Sequence, residues 1–140
     1  MKKRKWWVVT AISWMVIIFL CTQLPYFTGD RTATAIHKTI APSANYEKID
    51  VLNLIIRKAT HITAFGLLSI FILKSLEPKR FAYLTSGLLT IIYSLSDEWH
   101  QSFMPGRTAS LDDVLIDALG ASFALSILFF YRKRKEGKRG

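Results

Sequence analysis

Long uncharged stretches separated by short charged ones dominate the chain. From Trp6 to Leu24 only Thr10, Ser13, Cys21, Thr22 and Gln23 interrupt an apolar run. Ala59 to Leu76 carries one ionisable residue, His61, besides Lys74 near its end. Phe81 to Ser96 is uncharged and runs into Asp97 and Glu98, and Val114 to Tyr131 contains only Asp117. A hydrocarbon core of about 30 Å takes about 20 helical residues, with roughly 17–25 tolerated. The pattern therefore predicts an all-α membrane protein, a bundle of four transmembrane helices over about residues 6–24, 59–76, 81–99 and 111–131. The third is short unless its helix continues through Trp99 and carries Asp97 and Glu98 to the membrane edge. One domain covers residues 1–140.

The segment between the first two spans, residues 25–58, holds two prolines and begins as an irregular link. From Tyr46 it becomes periodic, with Ile49, Leu52, Ile55, Ile56 and Ala59 at three- and four-residue spacing. This predicts an amphipathic helix over about 46–58, lying along the interface and leading into the second span.

Composition sharpens the membrane reading. Half the residues are apolar, yet 19 Lys and Arg stand against 10 Asp and Glu, for a net charge of +9. A soluble protein would spread such charges over its surface; here they gather between the apolar runs, which argues against a soluble enzyme or a nucleic-acid binder. One cysteine excludes an internal disulfide framework or a Cys-rich metal centre. Lys2, Lys3, Arg4 and Lys5 before an apolar run also describe a signal peptide, but no small-x-small cleavage site follows, so an uncleaved helix is expected.

The charges also orient the bundle. Thirteen basic residues against Glu77 and Glu136 (+11) flank the first, second and fourth spans on one side, and six basic against eight acidic residues (−2) occupy the other. By the positive-inside rule both termini are cytoplasmic. The basic run from Arg132 reads as a stop-transfer anchor.

The unusual residues all belong to the outer side: Lys58 and His61 at the start of the second span, then Asp97, Glu98, His100 and Gln101 at the end of the third. Arg107 follows in the loop, and Asp112, Asp113 and Asp117 open the fourth span. An ionisable group at membrane depth costs about 2.5–3.5 kcal/mol even on gentle scales, so such groups persist mainly when paired or functional. Helical spacing puts His61 on a face with Arg57 or Lys58, Asp97 with Gln101, and Asp113 with Asp117 and Gly120. Gly120 and Ala124 form a small-x-x-x-small pair that permits close helix contact. The carboxylates are thus expected to face the bundle, with Lys58 and Arg107 as counter-charges, in one polar pocket at the outer leaflet. Pro105-Gly106 suits a type II turn. Ser110 with Asp113 resembles an N-cap signature, and Asp112 and Asp113 also complement the helix dipole. Capping does not explain Asp117.

The stretch Asp97-Glu98-Trp99-His100-Gln101-Ser102-Phe103-Met104-Pro105-Gly106-Arg107, followed by Asp113, Asp117 and Gly120, resembles the signature of the VanZ-like family, D-E-x-x-Q-x-x-x-P-G-R and then D-x-x-x-N-x-x-G. An upstream K-x-x-H is matched by Lys58 and His61. Asp117 departs from the pattern, where the family usually has Asn. The resemblance implies a multi-pass protein of the bacterial cell membrane with a role in the cell envelope, and it connects the chain with antibiotic resistance of the teicoplanin (glycopeptide) type. It stops short of a reaction.

Three functions compete. In the first, the pocket of Lys58, His61, Asp97, Glu98, Gln101, Arg107, Asp113 and Asp117 binds an envelope component or partner protein. Lys58 and Arg107 would hold a phosphate or carboxylate of a lipid-linked cell-wall precursor or lipid headgroup. In the second, the chain is a small intramembrane hydrolase or transferase acting on an envelope lipid, with His61 or Glu98 as general base. A divalent metal on Asp97, His100, Asp113 or Asp117 is then an option. In the third, the cluster only closes the bundle through salt bridges. The lipid bilayer is the one obligatory partner; neither a cofactor nor nucleic acid is expected.

Overall fold

Proline and capping residues set where the helices stop. The computed structural model describes residues 2–23, 29–39, 45–104 and 109–138, and within them the regular elements are all α-helices. They are α1 (Lys2–Gln23), α2 (Gly29–Thr39), α3 (Tyr46–Leu76), α4 (Ala82–Gln101) and α5 (Leu111–Glu136). α3 ends before Pro78, whose ring disfavours helical backbone at the preceding residue; Glu77 is accordingly extended, at φ −61° and ψ 142°. α5 begins at Ser110, whose hydroxyl oxygen accepts from the Asp112 N–H. Asp112 and Asp113 sit in its first turn and Lys133, Arg134 and Lys135 in its last, each complementing the helix dipole.

Where the sequence predicts an interfacial helix followed by a separate span, residues 46–76 form one continuous helix of 31 residues. At 1.5 Å per residue this is about 46 Å, well beyond a hydrocarbon core of about 30 Å. The amphipathic stretch and the apolar one thus share an axis. α2 occupies part of the segment expected as an irregular link. It buries Ile36 and sets the His37 ring parallel to Tyr46 of α3, 5.0 Å between centroids.

The four long helices alternate in direction. Trp7 at the start of α1 stacks on Phe71 late in α3, and Arg132 late in α5 pairs with Glu77 in the α3–α4 turn. At the opposite end, Phe19 of α1 meets His100 of α4, and Glu98 of α4 meets Ser110. The start of α1 and the end of α5 therefore lie at one end of the bundle. Two long-range bonds tie α1 in place: Trp14 Nε1 donates to the Ala64 carbonyl at 2.9 Å, and the Tyr93 hydroxyl to the Met15 carbonyl at 2.6 Å.

Among the described residues 10 polar or charged side chains are buried beside 12 apolar ones. Phe65, Leu68, Leu73 and Ile49 are buried, but so are Ser69, Ser86, Thr90, Ser94, Asp97, Glu98, Gln101 and Asp117. The outer surface carries Ile12, Val16, Leu88, Ile92, Leu119, Phe123, Ile127 and many other large apolar residues, all exposed. Water would reverse this arrangement; lipid stabilises it. Several buried hydroxyls are satisfied within their own helix: Ser69 donates to the Gly66 carbonyl, Ser86 to that of Tyr83 and Thr90 to that of Ser86.

Among the described residues three helices are long and apolar enough to cross a membrane, within Arg4–Thr22, Tyr46–Leu76 and Leu111–Glu136. The sequence pattern predicts four. α4 has the length, 20 residues, but its mean hydropathy is lowered by the stripe of Ser86, Thr90, Ser94, Asp97, Glu98 and Gln101.

Candidate functional site

Small residues bring α3 and α5 together just below the polar cluster. A Cβ on Gly120 would lie 2.5 Å from the Ile62 carbonyl oxygen, and one on Gly66 would lie 3.2 Å from that of Gly120. Only glycine permits this approach, and it sets the distance between the side chains one turn above.

Those side chains are His61 and Asp117. His61 Nδ1 lies 3.1 Å from Asp117 Oδ1, and the Ser94 hydroxyl donates to Asp117 Oδ2 at 2.6 Å. A carboxylate oxygen accepts, which assigns the His61 hydrogen to Nδ1 and leaves Nε2 as the ring's acceptor. Asp117 is 1% exposed, whereas the His61 side chain is 20% exposed. One carboxylate thus ties α3, α4 and α5 together. A nucleophilic serine needs an imidazole between itself and the carboxylate; here the carboxylate sits in the middle, so Ser94 is a positioning group.

Above this clamp a cavity of about 220 Å³ opens between α3 and the start of α5. Leu54, Arg57, Lys58 and His61 form one wall, and Ser110, Asp112 and Asp113 the other. Glu98 anchors the second wall: its Oε2 accepts from the Ser110 N–H at 2.9 Å, while its buried Oε1 finds no hydrogen bond among the described residues. Asp113 and Glu98 both act electrostatically on His61.

The structure therefore gathers Lys58, His61, Glu98, Asp113 and Asp117 around one cavity and its floor. Asp97 and Gln101 are buried on α4, where the Gln101 amide donates to Asp97 Oδ2 at 2.8 Å, and neither lines the cavity. Arg107 and the Pro105-Gly106 turn lie outside the described residues. His100, a metal-ligand option in the sequence, packs its ring 4.9 Å from that of Phe19. Among the described residues no three His, Cys, Asp or Glu side chains converge as a metal site would require.

The pocket expected from the sequence omits Leu54, Arg57, Ser94, Ser110 and Asp112. Ser94 belongs to a polar stripe at four-residue spacing, Ser86-Thr90-Ser94, that was legible beside Asp97 and Glu98. Arg57 was seen only as a neighbour of His61, and Asp112 as a dipole partner; both line the cavity.

No curated protein and no solved structure gives a significant match to the chain. A family model does: VanZ/LLP1 matches residues 7–132, from the first turns of α1 to the last turns of α5. With nearly its whole length covered, including both walls of the cavity, the chain belongs to the VanZ/LLP1 family.

Proposed function

We propose that this VanZ-like membrane protein crosses the bacterial cell membrane four times, keeps both termini in the cytoplasm, and holds an envelope anion in its outer polar pocket. The observation that carries the binding reading is the cavity between α3 and α5, where Arg57, Lys58 and His61 face inward on a bundle whose outside is apolar. Charges placed there are costly unless used. Arg107, from its place in the sequence, joins Lys58 in holding a phosphate or carboxylate of a lipid-linked cell-wall precursor or lipid headgroup. Asp113 on the opposite wall orients it, while Asp117 holds the His61 ring and Glu98 the start of α5 in place.

α4 supports the fourth span despite its low mean hydropathy. Its polar stripe is buried, while Leu84, Leu88, Leu89, Ile92, Leu95 and Trp99 are exposed. Such a helix belongs in lipid with its polar face turned inward. A cysteine introduced at Ser43, in a Cys21→Ser background, is then expected to react with an impermeant maleimide on intact cells. Reaction only after permeabilisation would reverse the topology.

Natively purified protein tests the pocket. Mass spectrometry of co-purifying lipids is expected to find a phosphate- or carboxylate-bearing lipid whose retention falls about tenfold or more in Lys58→Gln and in Arg107→Ala, as for lost charge-assisted hydrogen bonds. An unchanged lipid complement in both variants would remove the anion-binding reading. By family resemblance the same variants are expected to abolish any teicoplanin resistance the chain confers.

One observation favours a second reading, a small intramembrane hydrolase or transferase acting on an envelope lipid. Asp117 fixes the His61 ring through Nδ1 while the ring lines the cavity, which is how an acidic partner presents a general base. Turnover of envelope lipid extracts by the wild type, lost in His61→Gln with lipid binding retained, would establish it.

A further inference from the structure

The two walls of the cavity differ in sign. Arg57 and Lys58 project from α3, and Asp112 and Asp113 from the first turn of α5. Among the described residues no ion pair joins the two walls. Four charges that line one cavity yet leave one another unpaired form a site already divided into an anion half and a cation half.

Resting on the anion-binding reading above, we propose that the ligand is a zwitterionic phospholipid headgroup with a primary ammonium, a phosphoethanolamine. Its phosphate lies against Arg57 and Lys58, and its ammonium against Asp112 and Asp113. Three features carry this. A purely anionic headgroup would satisfy the α3 wall but leave two carboxylates facing it, a like-charge contact that selects against it. A quaternary ammonium has no N–H to donate and is recognised by aromatic faces; the lining, apart from His61, contains no aromatic side chain. At about 30 Å³ per water, 220 Å³ holds about seven water volumes, close to the size of this headgroup.

The lipid, rather than a free phosphate ester, is the source. Leu54 lines the cavity and is also 50% exposed, in line with exposed Val51 and Ile55 on α3. The cavity wall thus runs directly into the lipid-facing surface, where acyl chains continue from the headgroup.

The test uses the full chain in nanodiscs of phosphatidylcholine doped in turn with phosphatidylethanolamine or phosphatidylglycerol, and native mass spectrometry of the lipid carried over. Wild-type protein is expected to retain phosphatidylethanolamine about tenfold over both others, as for one lost set of charge-assisted hydrogen bonds. In Asp112→Asn/Asp113→Asn that preference over phosphatidylglycerol is expected to vanish, while Arg57→Gln/Lys58→Gln loses both lipids. Equal retention of all three by the wild type, a comparison needing no variant, overturns the proposal. So does an unchanged preference in a folded Asp112→Asn/Asp113→Asn protein. If phosphatidylglycerol binds as well as phosphatidylethanolamine and both depend on Arg57 and Lys58, the amine inference falls and the anion pocket stands. If neither lipid depends on those residues, both readings fall.

Discussion

Gly120→Ala is expected to be among the most damaging single-methyl changes in this protein. The added Cβ would fall 2.5 Å from the Ile62 carbonyl oxygen, 2.9 Å from its Cα and 3.0 Å from its carbonyl carbon. All three are backbone atoms of α3, so no side chain can rotate away, and α3 and α5 must separate. Helices in lipid gain little from burying apolar surface against each other and depend on close packing. Forcing the seam open is expected to cost about 1–3 kcal/mol, the range for overpacked cores. It would also lengthen the 3.1 Å His61–Asp117 contact one turn above. Gly87→Ala is the control, because its Cβ would meet only the Leu125 side chain, at 3.8 Å. There the usual helical advantage of alanine over glycine, about 0.5–1 kcal/mol, is expected to appear. Thermal unfolding in one detergent measures both, and equal stability of the Gly120→Ala and Gly87→Ala proteins would contradict the seam.

Asp117→Leu is expected to cost more, about 3–5 kcal/mol, the range for removing one partner of a buried polar or ionic pair. It strands the His61 Nδ1–H and forces the Ser94 hydroxyl to find another acceptor, where one carboxylate links α3, α4 and α5 by hydrogen bonds. Asp117→Asn should differ sharply. Its Oδ1 still accepts from His61, and its Nδ2 can donate to a rotated Ser94 hydroxyl, so the loss is expected to stay near 1 kcal/mol. This is also the amide that the resembling pattern carries at this place. Chemical unfolding of the two variants separates the cases. Comparable losses in both would show that the carboxylate's charge, and not its hydrogen-bond geometry, holds the three helices.

The membrane character, the start of α5 and the inward orientation of Asp117 are readable along the chain because each rests on local patterning. Asp117 and Gly120 share a face at any register of a straight helix, and a charged face cannot lie against lipid. The Gly120-Ala124 pair likewise marks a close contact. Its partner, Gly66, is invisible without the fold, since nothing local pairs residues 54 positions apart. α2 escaped because its one large apolar residue, Ile36, makes a weak signal over 11 residues; that residue is buried in a helix that packs on α3. The continuity of α3 escaped because an amphipathic helix and an apolar one differ in composition, not in backbone, and no breaker separates Tyr46 from Leu76.

The sequence by itself therefore determined the solvent, the family and the residues too costly to sit in lipid unpaired, all of which follow from transfer energetics and spacing. Tertiary structure alone decided who pairs with whom. The glycine seam brings His61 to Asp117, and Ser94 reaches the same carboxylate across from α4. With Asp117 already engaged there, Arg57 and Lys58 face Asp112 and Asp113 across an open cavity. Such pairings depend on helix rotation and depth, which side-chain volumes at the seam settle and no periodicity along one chain encodes.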